Sequence, residues 1–122
     1  MKFNECKLDK EILDALDALG YKEALPVQQK VIPLLLKETD VVVKAKTGSG
    51  KTASFAIPII QQLTWNERSP QALVLTPTRE LALQIKEEFD HIGAFKRIKT
   101  LAVFGKQPFR FQAADLKQRT HV

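Results

Sequence analysis

Apolar residues along the chain follow two spacings, one typical of helices and one typical of buried strands. Those before Gly20 recur at helical spacing and predict a first amphipathic helix, which a left-handed glycine would end. Four further stretches show the same spacing and are predicted to be helices: residues 27–37, 51–64, 77–92 and 108–117. Pro33 is expected to kink or split the helix that contains it, because proline lacks the N–H donor that an inner helical turn needs.

Short apolar runs lie between these helices, at residues 41–45, 72–76 and 100–104. They are too short for buried helices and rich in aliphatic residues, so they are predicted to be buried strands. Strands that alternate with helices predict an α/β fold with a parallel sheet and right-handed crossovers. Residues 120–122 resemble the start of a fourth strand.

Composition narrows the class of protein only moderately. The chain has 122 residues, of which 44% are hydrophobic, so one compact domain is expected. The net charge of +5 favours a polyanion partner without establishing one. Cys6 is the single cysteine, which excludes an intrachain disulfide and a multi-cysteine metal site. His91 and His121 are assigned no role.

The sequence shows no targeting or membrane signal. The N-terminus lacks the apolar core of a secretion signal, and no apolar run approaches the roughly 18 residues of a membrane-spanning helix. A cytoplasmic protein without a membrane partner is therefore expected.

The stretch "AKTGSGKT", residues 45–52, follows the first predicted strand and precedes a predicted helix. Glycines at 48 and 50 allow successive backbone N–H groups to face phosphate oxygens. Lys51 can reach the outer phosphates, and the hydroxyl of Thr52 can bind Mg²⁺. Ala45 replaces the glycine that opens the strict pattern. The stretch is therefore predicted to be a phosphate-binding P-loop.

A dinucleotide-binding loop is the alternative, because Gly48, Gly50 and Ala53 also satisfy G-x-G-x-x-A after a strand. That fold needs an acidic residue at the end of the second strand to bind the ribose. The second predicted strand ends in Thr76-Pro77 and has no acidic residue. This alternative is disfavoured, and it would leave Lys51 and Thr52 without a role.

Two further motifs flank the loop. "GYKEALPVQ" occupies residues 20–28, with Phe3 seventeen positions before Gly20, and "PTRELA" occupies 77–82. In this order the three motifs resemble the Q motif, motif I and motif Ia of the DEAD-box RNA helicases, and the resemblance covers essentially the whole chain. "AVFGK" and "PQALVLTPTREL" resemble the bacterial DbpA-type branch most.

The resemblance implies a three-layer, parallel-sheet, RecA-like P-loop domain that is incomplete at its C-terminal end. Residues 1–39 would form its Q-motif region, and residues 40–122 its P-loop and motif Ia region. The ligands implied are ATP or ADP with Mg²⁺, and RNA, which is ribosomal in the DbpA-type branch.

The resemblance also assigns roles to individual residues. Phe3 would stack on adenine and Gln28 would hydrogen-bond its edge, while Lys51 and Thr52 would be catalytic, with Thr52 also meeting Mg²⁺ beside the nucleotide. The nucleotide-binding loop residues implied are Ala45, Thr47, Gly48, Ser49, Gly50, Lys51 and Thr52. The RNA-backbone residues implied are Pro77, Thr78, Arg79 and Gly105.

The sequence departs from the family pattern at three places. Ala24-Leu25 stands where the family has Pro-Thr, which removes a hydroxyl that ties the Q motif to the loop. Lys46 replaces a glutamine in motif I. Gly105-Lys106 stands in place of a glycine pair. Glu80 and Gln84 are interpreted as helix-start and solvent-facing residues.

Several parts of a complete helicase do not occur in these 122 residues, among them the D-E-A-D and S-A-T motifs and the second RecA-like domain. The chain is expected to be the front portion of an enzyme that couples ATP hydrolysis to RNA unwinding, and to be inactive alone. A non-catalytic nucleotide- or RNA-binding module is the alternative, and an unrelated P-loop kinase is disfavoured by Gln28 and motif Ia. Uncovered strand edges predict marginal stability and self-association.

Overall fold

The computed structural model describes residues 2–106 and 108–122. Within them the chain forms two short 3₁₀ turns, Phe3–Cys6 and Ala94–Lys96, and five α-helices. The helices are α1 (Lys10–Ala18), α2 (Pro26–Leu36), α3 (Lys51–Gln62), α4 (Arg79–Ile92) and α5 (Phe109–Leu116). All five predicted helices are confirmed, and the four with predicted bounds end within two residues of those bounds. No helix in the described part of the chain has the length and hydropathy needed to cross a membrane.

The end of α1 follows the predicted glycine stop. Gly20 has a φ of 80°, in the left-handed region. The N–H of Tyr21 donates to the carbonyl of Leu16 at 2.8 Å, which closes the last turn in the manner of a Schellman motif. This turn fixes where the Q-motif segment leaves the helix.

Pro33 does not split α2, which is continuous from Pro26 to Leu36, so the expectation of a split was wrong. A proline costs a helix one hydrogen bond and introduces a steric clash. In α2 the neighbouring Val31 and Ile32 are buried, and the helix packs against α3. Burial of that apolar face offsets the local cost.

Helices α1 to α4 enclose one hydrophobic core. The rings of Phe55 on α3 and Phe89 on α4 pack in a tilted arrangement with centroids 6.3 Å apart. The side chains with no exposed surface include Ile12, Ile32, Ile57, Ile60, Phe89 and Ile92. This core holds α3 and α4 beside each other, and these helices follow the P-loop and motif Ia respectively.

The three predicted strands do not form a regular sheet. Across residues 2–106 and 108–122 the structure contains no β-ladder, and its one bridge is an isolated antiparallel pair between Lys2 and Glu23. Segments 41–45, 72–76 and 100–104 are irregular, and the prediction of paired, buried strands was wrong for these residues. Strands of a sheet need spatial neighbours to bond with, whereas helices bond within themselves.

Backbone hydrogen bonds of the C-terminal segment show why the second and third predicted strands, which are consecutive in sequence, are not adjacent in space. The carbonyl of His121 accepts the N–H of Gln71 at 2.9 Å, and the N–H of His121 donates to the carbonyl of Lys99 at 2.8 Å. The N–H of Leu101 then donates to Val122 at 3.0 Å. This segment therefore lies between the second and third predicted strands and runs parallel to the third, which agrees with the predicted start of a fourth strand.

Several apolar side chains of the three predicted strands are exposed. Val42 is fully exposed, Leu73 83%, Leu75 85% and Val103 50%. Faces of these segments are therefore uncovered, whereas the expectation of uncovered strand edges, which are rows of unpaired backbone groups, stays a prediction.

Candidate functional site

A cleft of about 1010 Å³ opens between the Q-motif segment, the P-loop and α4. Six predicted nucleotide residues line it, together with several that the sequence did not indicate. The predicted residues in the cleft are Gln28, Thr47, Gly48, Gly50, Lys51 and Thr52. The structure thus brings the Q motif and motif I, separated by about twenty residues in sequence, to one concave site.

The glycines of the loop adopt the backbone that phosphate binding needs. Gly48 and Gly50 have φ angles of 79° and 85°, and Gly50 immediately precedes the first turn of α3. A Cβ on Gly50 would lie 2.5 Å from Nε2 of Gln28 and 2.8 Å from Cδ1 of Leu25. Only glycine fits at position 50. The free N–H groups at the start of α3, with its dipole, favour an anion at this end of the cleft.

The side chain of Lys51, which is predicted to bind the outer phosphates, folds back over the loop. Its Nζ donates to the carbonyl of Ala45 at 2.6 Å, and the hydroxyl of Ser49 donates to the carbonyl of Lys46. The carbonyl of Ala45 therefore holds the Lys51 side chain, and Ser49 stabilises the shape of the loop, although neither residue lines the cleft. Thr52 follows in the first turn of α3 and does line it.

The donor set fits a nucleotide with its Mg²⁺ better than a metal bound by the protein alone. The described residues contain no cluster of three or more His, Cys, Asp or Glu side chains that could hold a metal. Mg²⁺ usually takes one or two protein ligands and completes its shell with substrate phosphates and water. The hydroxyl of Thr52 beside a phosphate-binding loop meets that requirement.

Gln28 links α2 to the P-loop. It is 4% exposed; its Oε1 accepts the N–H of Leu25 at 2.9 Å, and its Nε2 donates to the carbonyl of Gly50 at 3.3 Å. Leu25 has no side-chain acceptor to cap α2, so Gln28 does so. The tie expected to be lost through Ala24-Leu25 is therefore made by Gln28, whose amide keeps one N–H and one lone pair for a base.

Phe3 does not reach the cleft. It is 4% exposed, belongs to the core, and lines a separate groove of about 450 Å³. Tyr21 lines both that groove and the cleft, and among the described residues it is the one aromatic side chain that lines the cleft. The stacking role of Phe3 stays a prediction. The sequence signal for Tyr21 was its place directly after Gly20 in the Q motif.

Helix α4 contributes a wall of the cleft that sequence reasoning missed. Leu81, Gln84 and Glu88 line it, and Gln84 is exposed, as the sequence predicted. Their spacing of three and four residues places them on one helical face, which is the signal that could have found them. The phenol of Tyr21 donates to Oε1 of Glu88 at 3.0 Å. Burial, and then this carboxylate, raise the pKa of Tyr21, so the phenol remains a donor at neutral pH.

The four predicted RNA residues lie together in a second groove of about 530 Å³, which we call the motif Ia groove. Pro77, Thr78 and Arg79 form one side, and Gly105 with Lys106 forms the other. The hydroxyl of Thr78 caps α4 by accepting the N–H of Leu81 at 3.1 Å. The guanidinium carbon of Arg79 lies 4.6 Å from the centroid of the Phe104 ring. A helix N-terminus flanked by Arg79 and Lys106 suits a phosphate chain.

Two curated relatives align with nearly all of this sequence. It is 56% identical over 120 residues to the ATP-dependent RNA helicase DbpA of Bacillus subtilis, covering 98% of this chain and 25% of that protein. It is 44% identical over 121 residues to the ATP-dependent rRNA helicase RRP3 of Kluyveromyces lactis, with the same two coverages. The chain thus spans about a quarter of the length of the curated relatives it matches.

Solved structures of similar shape come from the same class of protein. A DEAD box protein from the hyperthermophile Methanococcus jannaschii matches with a TM-score of 0.94 and 39% identity, over 99% of this chain and 33% of that one. The RNA helicase Prp28 from Chaetomium thermophilum, bound to ADP, matches with a TM-score of 0.83 and 33% identity, over 96% of this chain and 30% of that one. The predicted α/β RecA-like fold class is confirmed, although its strands lack regular pairing in this chain.

The family assignment rests on the same residues as the site. Residues 25–122 match the family described as DEAD/DEAH box helicase, and this range contains Gln28, the P-loop and motif Ia. The identity to DbpA extends the match across the Q-motif region. The resemblance drawn from three motifs is confirmed, and the chain belongs to the DEAD/DEAH box helicase family.

Proposed function

We propose that this chain forms the ATP-binding and RNA-contacting part of an ATP-dependent RNA helicase. The observation that carries the proposal is that Gln28, Lys51 and Thr52 line one cleft. Gln28 would hydrogen-bond the base, Lys51 would bind the phosphates, and the hydroxyl of Thr52 would bind Mg²⁺. Residues 1–39 would supply the Q-motif region, and residues 40–122 the P-loop and motif Ia region.

The nucleotide would lie with its phosphates at the start of α3 and its base toward Gln28. Lys51 would leave the carbonyl of Ala45 for a β or γ phosphate, since a charged phosphate is a stronger partner than a neutral carbonyl. The hydroxyl of Thr52 would hold Mg²⁺ beside the phosphates, and the bound ion would supply positive charge for phosphoryl transfer in the intact enzyme. The ADP in the similar Prp28 structure supports this nucleotide class.

RNA would bind along the motif Ia groove by its sugar-phosphate backbone. Arg79 and Lys106 supply charge, Thr78 a hydroxyl, and Gly105 an open backbone, since a Cβ there would meet nothing within 4 Å. Contacts of this kind position a nucleic acid without reading its sequence. Ribosomal RNA is the proposed target class because the relative RRP3 is named an rRNA helicase.

The intact enzyme would couple ATP hydrolysis to the separation of RNA strands. This chain alone is proposed to bind without hydrolysing, because its 122 residues contain neither a D-E-A-D nor an S-A-T motif. P-loop enzymes need an acidic residue, which the D-E-A-D motif would supply, to hold Mg²⁺, and they need an arginine finger to reach their full rate. A cytoplasmic location is part of the proposal.

Titration with fluorescent ADP and GDP tests the nucleotide site. ADP is expected to bind more tightly than GDP, and Gln28→Ala should remove this preference. Lys51→Ala should weaken ADP at least tenfold, whereas Lys44→Ala, an exposed lysine outside the cleft, should not. Equal binding of ADP and GDP that Gln28→Ala leaves unchanged would refute the base assignment.

A second titration tests the RNA groove. A single-stranded oligonucleotide should bind with a salt slope of about 0.7 per phosphate contact, and Arg79→Ala should weaken that binding and lower the slope by about one contact. Phosphate release should stay at background with and without RNA. Release that Lys51→Ala abolishes would contradict the proposed lack of hydrolysis.

A further inference from the structure

Within residues 2–106 and 108–122, α4 is the one helix whose residues line both the nucleotide cleft and the motif Ia groove. Gln84 and Glu88 face the cleft, while Arg79 and Glu80, at the start of the helix, face the groove. From Arg79 to Glu88 the helix spans about 14 Å, at 1.5 Å per residue. A helix of this length moves as a rigid rod, so a small tilt near Glu88 displaces Arg79.

The two halves of α4 are held unequally. Phe89 and Ile92 are fully buried in the core, whereas no residue from Arg79 to Glu88 is buried. Ile85 packs against the core but is only partly buried, so packing holds the end of the helix most firmly and its start at Arg79 least. A small displacement of the helix close to its firmly held end is amplified along its length and is largest at Arg79.

Tyr21 makes a contact close to the firmly held end of α4, from a fixed backbone position. Its N–H is bonded to Leu16 in the turn that ends α1, and its ring packs against the core. Its phenol donates to Glu88, one residue before the buried Phe89, at 3.0 Å. Among the described residues this is the one side-chain hydrogen bond between the segment 20–28 and α4.

We infer that Tyr21 and Glu88 are positioning residues that couple the nucleotide cleft to the motif Ia groove by setting the tilt of α4. The inference rests on the proposed function. Tyr21 lines the cleft beside Lys22, Glu23 and Gln28, so a base bound there restricts the motion of its ring. The restricted ring in turn restricts the Glu88 carboxylate, which accepts a hydrogen bond from the phenol. The nucleotide thereby orders the start of α4, where Arg79 and Thr78 lie.

Amide hydrogen exchange of α4 at saturating ADP tests the coupling, with exchange read over residues 79–86. ADP should slow exchange there at least threefold in the unaltered chain. Tyr21→Phe, which keeps the ring, and Glu88→Ala should each abolish that slowing, and the double variant should equal the single ones. Glu87→Ala removes a carboxylate 71% exposed on the same helix and should retain the full effect.

The same samples separate the inference from the proposed function. Slowing that survives in Tyr21→Phe overturns the coupling, while fluorescence shows that ADP is bound. If ADP does not bind the unaltered chain, the proposed function fails. The exchange rates without ligand then test whether Tyr21 positions α4. Tyr21→Phe should then speed exchange over residues 79–86 relative to Glu87→Ala, and equal rates overturn the positioning role.

Discussion

Helices α1 to α4, the helical side, and segments 41–45, 72–76 and 100–104, the strand side, both carry apolar residues but bury them to different extents. Ile32, Ile57 and Ile60 have no exposed surface, whereas Leu73 and Leu75 are more than four-fifths exposed. A helix completes its backbone hydrogen bonds within a dozen residues and needs others only to cover one face. A strand needs neighbours for its backbone as well, so its burial depends on distant parts of the chain.

The P-loop lies where the two sides meet. Residues 41–45 enter it from the strand side, and α3 leaves it on the helical side. Lys51 and Thr52 belong to the first turn of α3, and Gln28 is held by α2. The chemical groups of the site therefore depend on the well-packed half of the molecule. The following changes test that division, beginning with the largest expected effect.

Truncation of Phe89 should damage the helical side most. Phe89→Ala removes a fully buried ring that packs on Phe55, and should lower the free energy of unfolding by about 3 to 5 kcal/mol. Phe109→Ala is the control, since that ring is 83% exposed and should change stability by less than about 0.5 kcal/mol. Urea denaturation followed by circular dichroism measures both. Equal losses would show that the core is not where the structure places it.

His121 tests the bonds that the C-terminal segment makes beside the third predicted strand. Its Nδ1 accepts the N–H of Lys99 at 3.0 Å, and its Nε2 bonds the carbonyl of Trp65 at 3.0 Å. Since His121 is fully buried, His121→Ala should leave both backbone groups unpaired and cost about 1 to 3 kcal/mol. His91→Ala removes a half-exposed ring and should cost much less. Similar losses in the denaturation midpoint would contradict this role.

Gly50 tests the junction between the two sides. Gly50→Ala and Gly48→Ala both place a side chain on a left-handed residue, at a cost of about 1 to 2 kcal/mol. A Cβ at Gly48 meets nothing within 4 Å, whereas one at Gly50 collides with Gln28. Thermal melts should show the larger loss for Gly50→Ala, by about 1 kcal/mol. Indistinguishable melts would mean that Gln28 does not tie α2 to the loop.

The exposed strand side should respond in solubility rather than stability. Leu75→Lys places a charge on an uncovered segment and should change the free energy of unfolding by less than about 0.5 kcal/mol, while it reduces self-association. Leu83→Lys, at a partly exposed helical position, should leave association unchanged. Light scattering against concentration measures both. Equal reduction by the two variants would show that association does not involve strand edges.

Asp9 and Lys96 give the smallest effect, on the helical side. Their 2.6 Å ion pair joins the start of α1 to the turn after α4, and the hydrogen bond from Lys96 lowers the pKa of Asp9 below its ordinary value of 3.8. The pair therefore stabilises the fold above pH 3.8 and is lost as pH falls through the lower folded pKa. Because Asp9 is half exposed, the contribution is at most about 0.5 kcal/mol. Lys96→Met should flatten this part of the stability profile, and an unchanged profile would refute the pairing.

The five helices, the Gly20 stop and the glycines of the P-loop were predictable because each depends on residues within one or two turns of chain. The helical spacing around Ile12 or Phe89 already says which face is buried. The position of residues 119–122 between segments 71–72 and 99–101 could not be predicted, since it pairs residues up to fifty apart. The failure of the three predicted strands to form a ladder has the same cause.

Spacing along the chain specifies which chemical groups this protein carries in its three motifs, because a motif is defined by residue types at fixed intervals. Where those groups lie and what they contact depends on the tertiary structure. It buried Phe3 in the core, made Gln28 the cap of α2, and brought Tyr21 to Glu88 across 67 residues. Local spacing fixes the dihedral angles and faces of one element, whereas the meeting of two side chains depends on how every element between them packs.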